Sequence, residues 1–137
     1  MNKLFTITAG VAILAVSAFA HHSAAMFDSS KLVVLKGSVV TWTLMNPHAW
    51  ISVDARVNGA GKSVRWDVEA TSPRQLAGIG ITHGTVKPGD KVTIGIRPLK
   101  DGRAGGSMVF LITPDGVVHG AKPEDLGLSL ESLTPGP

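Results

Sequence analysis

Cysteine is absent from all 137 residues. No disulfide can hold this fold, and no thiolate can act as a nucleophile or metal ligand. Tyrosine is absent too, and the aromatics are only 3 Trp and 4 Phe. Excess charge is small: 13 basic and 10 acidic side chains give +3, with Lys3 among the positive charges. No basic run or stripe occurs, which argues against nucleic acid as a partner. The Gly78-Ile79-Gly80 stretch through Gly84 lacks dinucleotide spacing, and Asp101 to Ser107 lacks the Gly-Lys-Ser/Thr end of a phosphate loop. No Gly-x-Ser-x-Gly nucleophile elbow is present.

The long apolar run lies at the start. Lys3 supplies a positive flank, Leu4 to Val16 is mostly apolar, and Ala18-Phe19-Ala20 is a small-x-small end. That tripartite pattern reads as a cleavable secretory signal over residues 1–20. Leu4 to Ala20 is short for a membrane span, which needs about 20 residues. No cysteine comes after it to carry a lipid, so no stable membrane anchor is expected after cleavage. The short apolar region looks bacterial, which would place the protein in the periplasm or the medium.

The chain beyond residue 20 has a β texture. Val33 to Met45 is rich in Val, Leu, Thr and Trp, with Gly37 inside it as a mark of a bulge or sharp coil. Asn46-Pro47 is a turn signal. Trp50 to Val57 alternates, as does Ser63 to Ala70, where Val64, Trp66, Val68 and Ala70 are expected to face in and Arg65, Asp67 and Glu69 out. Asn58 to Gly61 closes a hairpin between them. Ser72-Pro73 predicts a helix start, with Leu76 and Ile79 as the apolar stripe and Gly78 and Gly80 as the stop. Lys87-Pro88-Gly89-Asp90 reads as a type II turn. Val92, Ile94 and Ile96 make a fourth strand. Asp101-Gly102 and Gly105-Gly106 bracket a loop, and Met108 to Thr113 reads as a fifth strand buried on both faces. A helix between strands three and four of a five-stranded antiparallel sheet predicts an all-β, OB-like barrel over residues 21–119. A small unclosed sandwich is the alternative. Residues 120–137, with Pro at 123, 135 and 137, read as a flexible C-terminal tail.

Cleavage after Ala20 would make His21 the first residue. Its amine and imidazole could then chelate one metal ion, and a second histidine would complete a three-nitrogen set suited to copper. His22 offers another chelate through its amide and imidazole. His48, in the loop between the first two strands, is the best distant partner. Trp42, Asn46 and Trp50 are candidates for a ligand face, since that loop borders the binding surface of OB-folds. Asp67 and Glu69 are neighbouring carboxylates, read as cross-strand ion pairs with Arg65 and Arg56 nearby. Asp28 reads as the cap of a turn. Met26, Met45 and Met108 are too scattered in sequence for a thioether cluster and read as core filling. His83 and His119 read as surface residues.

Taken as a set, His21-His22-Ser23, Phe27-Asp28, Lys31 to Gly37, Asn46-Pro47-His48, Trp66 to Glu69, Ser72 to Leu76 and Pro88-Gly89-Asp90 resemble a family of bacterial exported proteins of unknown function. The resemblance spans about residues 21–118. It departs at Gly80-Ile81, where that family usually has Gly-Trp, and slightly at Lys31-Leu32-Val33. It implies an exported β-domain and carries no activity with it. Three functions remain open: an exported binding module with copper at His21, His22 and His48; a metal-free module binding a protein or small ligand; and a copper-dependent oxidative enzyme. A non-enzyme is favoured.

Overall fold

A computed structural model of the chain describes residues 24–134. Six strands form one sheet: β1 (Val33–Thr43), β2 (Trp50–Val57), β3 (Ala60–Glu69), β4 (Lys91–Pro98), β5 (Gly105–Ile112) and β6 (Val118–Gly120). The helix α1 (Pro73–Gly78) lies between β3 and β4, and a 3-10 turn (Pro123–Leu126) and a short helix α2 (Leu130–Leu133) come after β6. The strand order is β3-β2-β1-β4-β5-β6, and a further β3–β5 pairing closes the first five strands into the expected OB-like barrel. The β3–β5 seam is parallel, Asp67 to Glu69 against Gly105 to Ser107. The antiparallel sheet expected from alternation therefore has one exception, and geometry requires it: a ring of five strands cannot alternate direction at every seam. No helix among the described residues is long and apolar enough to cross a membrane.

β1 serves both halves of the barrel. Its first half pairs with β4 while Leu35 to Thr43 pairs with β2, with an irregularity between Val39 and Thr41. Gly37 sits where this strand coils. A Cβ there would fall 2.6 Å from Ala55 Cα and closer still to the Asp54 carbonyl oxygen, so only glycine lets β1 approach β2 this closely.

The barrel interior is filled by Leu35, Ile51, Val53, Val68, Ile94, Ile96 and Leu111, with Leu76 and Ile81 packed into the same core. Ser72 caps α1 by accepting from the Gln75 amide, and Pro73 occupies the first turn. The helix stops as expected at Gly80, whose φ of +80° allows Gly80 N–H to reach the Ala77 carbonyl and Ile81 N–H to reach that of Leu76. That closure turns Ile81 inward and leaves Ile79 exposed, so the buried pair is Leu76 and Ile81 rather than Leu76 and Ile79. The turn before β4 has Gly89 at φ +92° and Asp90 N–H on the Lys87 carbonyl, as its sequence predicts.

Three further expectations change. Val64 is exposed because β3 meets β5 only over its last three residues, which leaves the far end of the β2–β3 hairpin without a covering layer. Gly105 and Gly106 belong to β5 rather than to the preceding loop. At Gly106 an added Cβ would stand 2.5 Å from the Arg97 carbonyl oxygen, so the glycine serves strand contact here. Finally, the segment expected as a flexible tail is seated on the barrel as far as Thr134. Val34, Phe110 and Ile112 form an apolar patch on the outside of the wall, and Leu133 is buried against it with Leu126, Leu128 and Leu130 alongside. Thr93, fully buried, donates its hydroxyl to the Leu133 carbonyl at 2.6 Å. The leucines of that segment are spaced irregularly and separated by turns, so no single periodicity announces the packing.

Candidate functional site

One end of the barrel carries the group with the most chemical potential. The β1–β2 loop, with a cis Asn46–Pro47 bond, brings the chain back at His48. Ala49 then anchors it: its N–H reaches the Thr71 carbonyl at 3.1 Å, and its carbonyl accepts from Ala70 N–H at 2.8 Å. This extends the β2–β3 pairing beyond the Trp50–Glu69 register and sets His48 beside the end of β3. There His48 Nδ1 pairs with Glu69 Oε1. A carboxylate can only accept, so Nδ1 is the donor of this pair, and in the neutral imidazole the lone pair is then on Nε2.

Glu69, expected to point outward on a solvated face, is only 9 % exposed. It sits where β3 has a strand on each side, Trp50 of β2 and Ser107 of β5, and Phe27 of the segment before β1 lines the same clefts. That segment is strapped to the β4–β5 turn. Phe27 bridges to Leu99, Asp28 N–H reaches the Pro98 carbonyl at 2.8 Å, and Lys100 N–H reaches that of Met26 at 3.0 Å. Asp28 is the turn cap its position predicts, accepting from Ser30 N–H at 3.1 Å and Ser30 Oγ at 2.6 Å, with Lys31 Nζ at 3.1 Å. The Ser30 hydroxyl, and after it the Lys31 ammonium, pulls the Asp28 carboxyl down to about 2.

Two adjoining clefts result, with Phe27 and Glu69 shared between them. The first, about 350 Å³, is lined by Ala24, His48, Glu69, Arg97, Ser107 and Met108 among others. Arg97 is turned partly aside, donating to the Lys31 carbonyl at 2.7 Å. Met108 also packs on the barrel core, so the core role read from sequence holds, and its place on the cleft wall is new. The second cleft, about 360 Å³, is lined by Met26, Trp50, Asp67, Leu99 and Arg103 among others.

Of the residues singled out from the sequence, His48 and Trp50 thus come to neighbouring clefts. Trp42 does not line either one; it packs on the core and donates its indole N–H to the Thr82 carbonyl at 3.2 Å. Asn46 is exposed and also lines neither. His21 and His22 lie outside the described residues. The cross-strand ion pair forms between Arg65 and Asp54, at 2.6 Å, while Asp67 accepts from Ser52 Oγ at 2.5 Å. His119 Nδ1 lies 3.0 Å from the Ile79 carbonyl, away from the clefts, and His83 is exposed. Among the described residues no group of three or more His, Asp or Glu could hold a metal ion. His48 and Glu69 are a pair, and any metal bound there needs donors from elsewhere.

Fold and site together define a closed five-stranded OB-like barrel with a carboxylate-oriented histidine at the rim. The chain belongs to the family described as Family of unknown function (DUF6152), which it matches over residues 9–108. That span includes the residues that line the first cleft and ends before β6 and the seated C-terminal segment. No curated protein and no solved structure matches the chain.

Proposed function

We propose that the protein is an exported binding module that holds a copper ion at the His48 cleft, with the remaining nitrogens from a processed N-terminal His21 and with His22 as the other upstream donor. The observation that carries this reading is that Ala24 lines the same cleft as His48 and Glu69. His21 is three positions upstream of Ala24, a stretch that can reach at most about 11 Å. The His48–Glu69 pair adds support. Metal-bound histidines usually donate their second ring nitrogen to a carboxylate, which fixes the tautomer and strengthens the ligand. An amine, two imidazoles and no thiolate favour Cu(II) in tetragonal geometry. Export, a periplasmic or secreted location in a bacterium and the cleavage after Ala20 belong to the same proposal, because only a free His21 amine makes the chelate.

The test has two parts. Mass spectrometry of the exported product should give a chain beginning at His21. Copper titrations should then compare that chain with a form carrying one extra N-terminal residue and with His48→Ala. Both changes should weaken binding. Equal affinity in the extended form would rule out the terminal chelate.

A second reading rests on Trp50, which is 41 % exposed beside a cleft that also holds Met26 and Arg103. An exposed indole over a concave wall suits a metal-free module that binds a protein or small ligand. A copper-dependent oxidative enzyme is the third possibility and has no separate observation in its favour.

A further inference from the structure

A groove of about 590 Å³ runs over the outer wall of the barrel and shares no lining residue with the His48 cleft. Strand register places its side chains in two rows. Lys36 of β1 lies between Arg56 of β2 and Thr93 of β4, and Ser38 lies between Asp54 of β2 and Lys91 of β4. All six residues line the groove. The first row sets two cations directly opposite each other, Lys36 and Arg56, an arrangement that destabilises an antiparallel pair when left uncompensated.

The local acid does not compensate them. Asp54 is taken by Arg65, through Nε at 2.6 Å and Nη2 at 3.1 Å, and that guanidinium holds its carboxyl below the usual value. No ion pair among the described residues engages Lys36, Arg56 or Lys91. Lys36 Nζ donates to the Ser132 carbonyl, which ties its ammonium to the seated C-terminal segment. Lys91 Nζ donates to Ser38 Oγ at 2.9 Å, which uses one of its three donors. Arg56 is exposed on the remaining side. The groove therefore presents a guanidinium fork, an ammonium with spare donors and a hydroxyl around one concave space, with positive charge unmatched.

We propose that this groove is a binding site for a small phosphate-class oxyanion, held between Arg56 and Lys91 against Ser38. The guanidinium fork suits two oxygens of a tetrahedral oxyanion, and Lys91 supplies a point charge to a third. An anion there would also offset the Lys36–Arg56 repulsion. A concave space of about 590 Å³ suits a small free ion.

The experiment is a titration of the full mature chain with inorganic phosphate, against sodium chloride at matched ionic strength, monitored by amide NMR and thermal unfolding. Shifts should concentrate at Lys36 to Ser38, Asp54 to Arg56 and Lys91 to Thr93. Arg56→Gln and Lys91→Gln should each weaken phosphate roughly tenfold or more, as loss of a charge-assisted hydrogen bond requires. Arg56→Gln should also raise the melting temperature in phosphate-free buffer, because it removes the opposed cation, while shrinking the rise that phosphate produces. Lys100→Gln, a cation outside the groove, should change neither. The proposal fails if phosphate acts no differently from chloride, if the shifts fall equally on Lys100 and Arg103, or if Arg56→Gln keeps the full phosphate response.

Discussion

Glu69 holds His48 by its Nδ1, which leaves Nε2 as the ring nitrogen outside this pair. The carboxylate is 12 % exposed in its side chain and the imidazole 40 %, so the pair has a buried anchor and an accessible tip. If the pair serves a metal, Glu69→Gln should weaken copper about 10- to 100-fold without removing the site, the usual cost of losing an outer-shell carboxylate. His48→Ala should weaken it more. Competition titration against a chelator of known affinity measures both. Equal copper affinity in Glu69→Gln and the unchanged chain would leave the pair a purely structural contact.

The strap that brings Ala24 to the cleft depends on Asp28. Its carboxyl is lowered in the folded protein, so the contribution to stability is full above the unfolded value near 3.8 and is lost as pH falls through about 2. Amide exchange and NMR shifts of Phe27 to Lys31 should therefore report a loosening of this turn between about pH 4 and pH 2. Asp28→Asn should weaken the turn at neutral pH and abolish that titration. A turn equally ordered at pH 2 would show that the Phe27–Leu99 and Asp28–Pro98 contacts suffice.

The C-terminal segment is part of the fold. Leu133→Ala empties a buried site between Val34, Phe110 and Ile112 and should cost about 2–5 kcal/mol in denaturant unfolding. A chain stopped after Gly120 would expose that patch and should bind a hydrophobic dye. Wild-type stability in the truncated chain would show that the patch needs no cover.

Gly37→Ala should be poorly tolerated for a different reason. Its added carbon meets backbone and the Ala55 side chain rather than the end of a flexible side chain, so β1 and β2 must separate. We expect a loss of about 1–3 kcal/mol or more by thermal unfolding, with the largest amide shifts at Asp54 and Ala55.

Much of the barrel is legible in the sequence because its elements carry local signals. The alternation of Trp50 to Val57, the Ser72-Pro73 cap and the Pro88-Gly89 turn each act within a few residues, and each forms where expected. Glu69 escapes such a reading because alternation sorts the faces of a strand but says nothing about what lies over the outer face. Its burial comes with β2 and β5 on either side and His48 at its carboxylate, contacts made between distant parts of the chain. Val64 departs in the opposite sense, an apolar residue on the inward face of a strand that outruns its cover. His48 is identifiable from its turn, whereas its partner is not, since pairing across β2 and β3 beyond Trp50 depends on how Ala49 is anchored. Met108 illustrates a related limit: three scattered methionines look like filler, yet the fold sets one of them on the wall of the histidine's cleft.

The most direct test of the copper reading is paramagnetic broadening of amide signals at substoichiometric Cu(II), using a chain prepared to begin at His21. Signal should be lost first at Ala24, Phe27, His48, Glu69 and Ser107, with His83 and His119 remaining sharp. Broadening confined to the first few residues, with His48 and Glu69 untouched, would contradict this: the terminus would then bind copper by itself, and the barrel would have no part in the site.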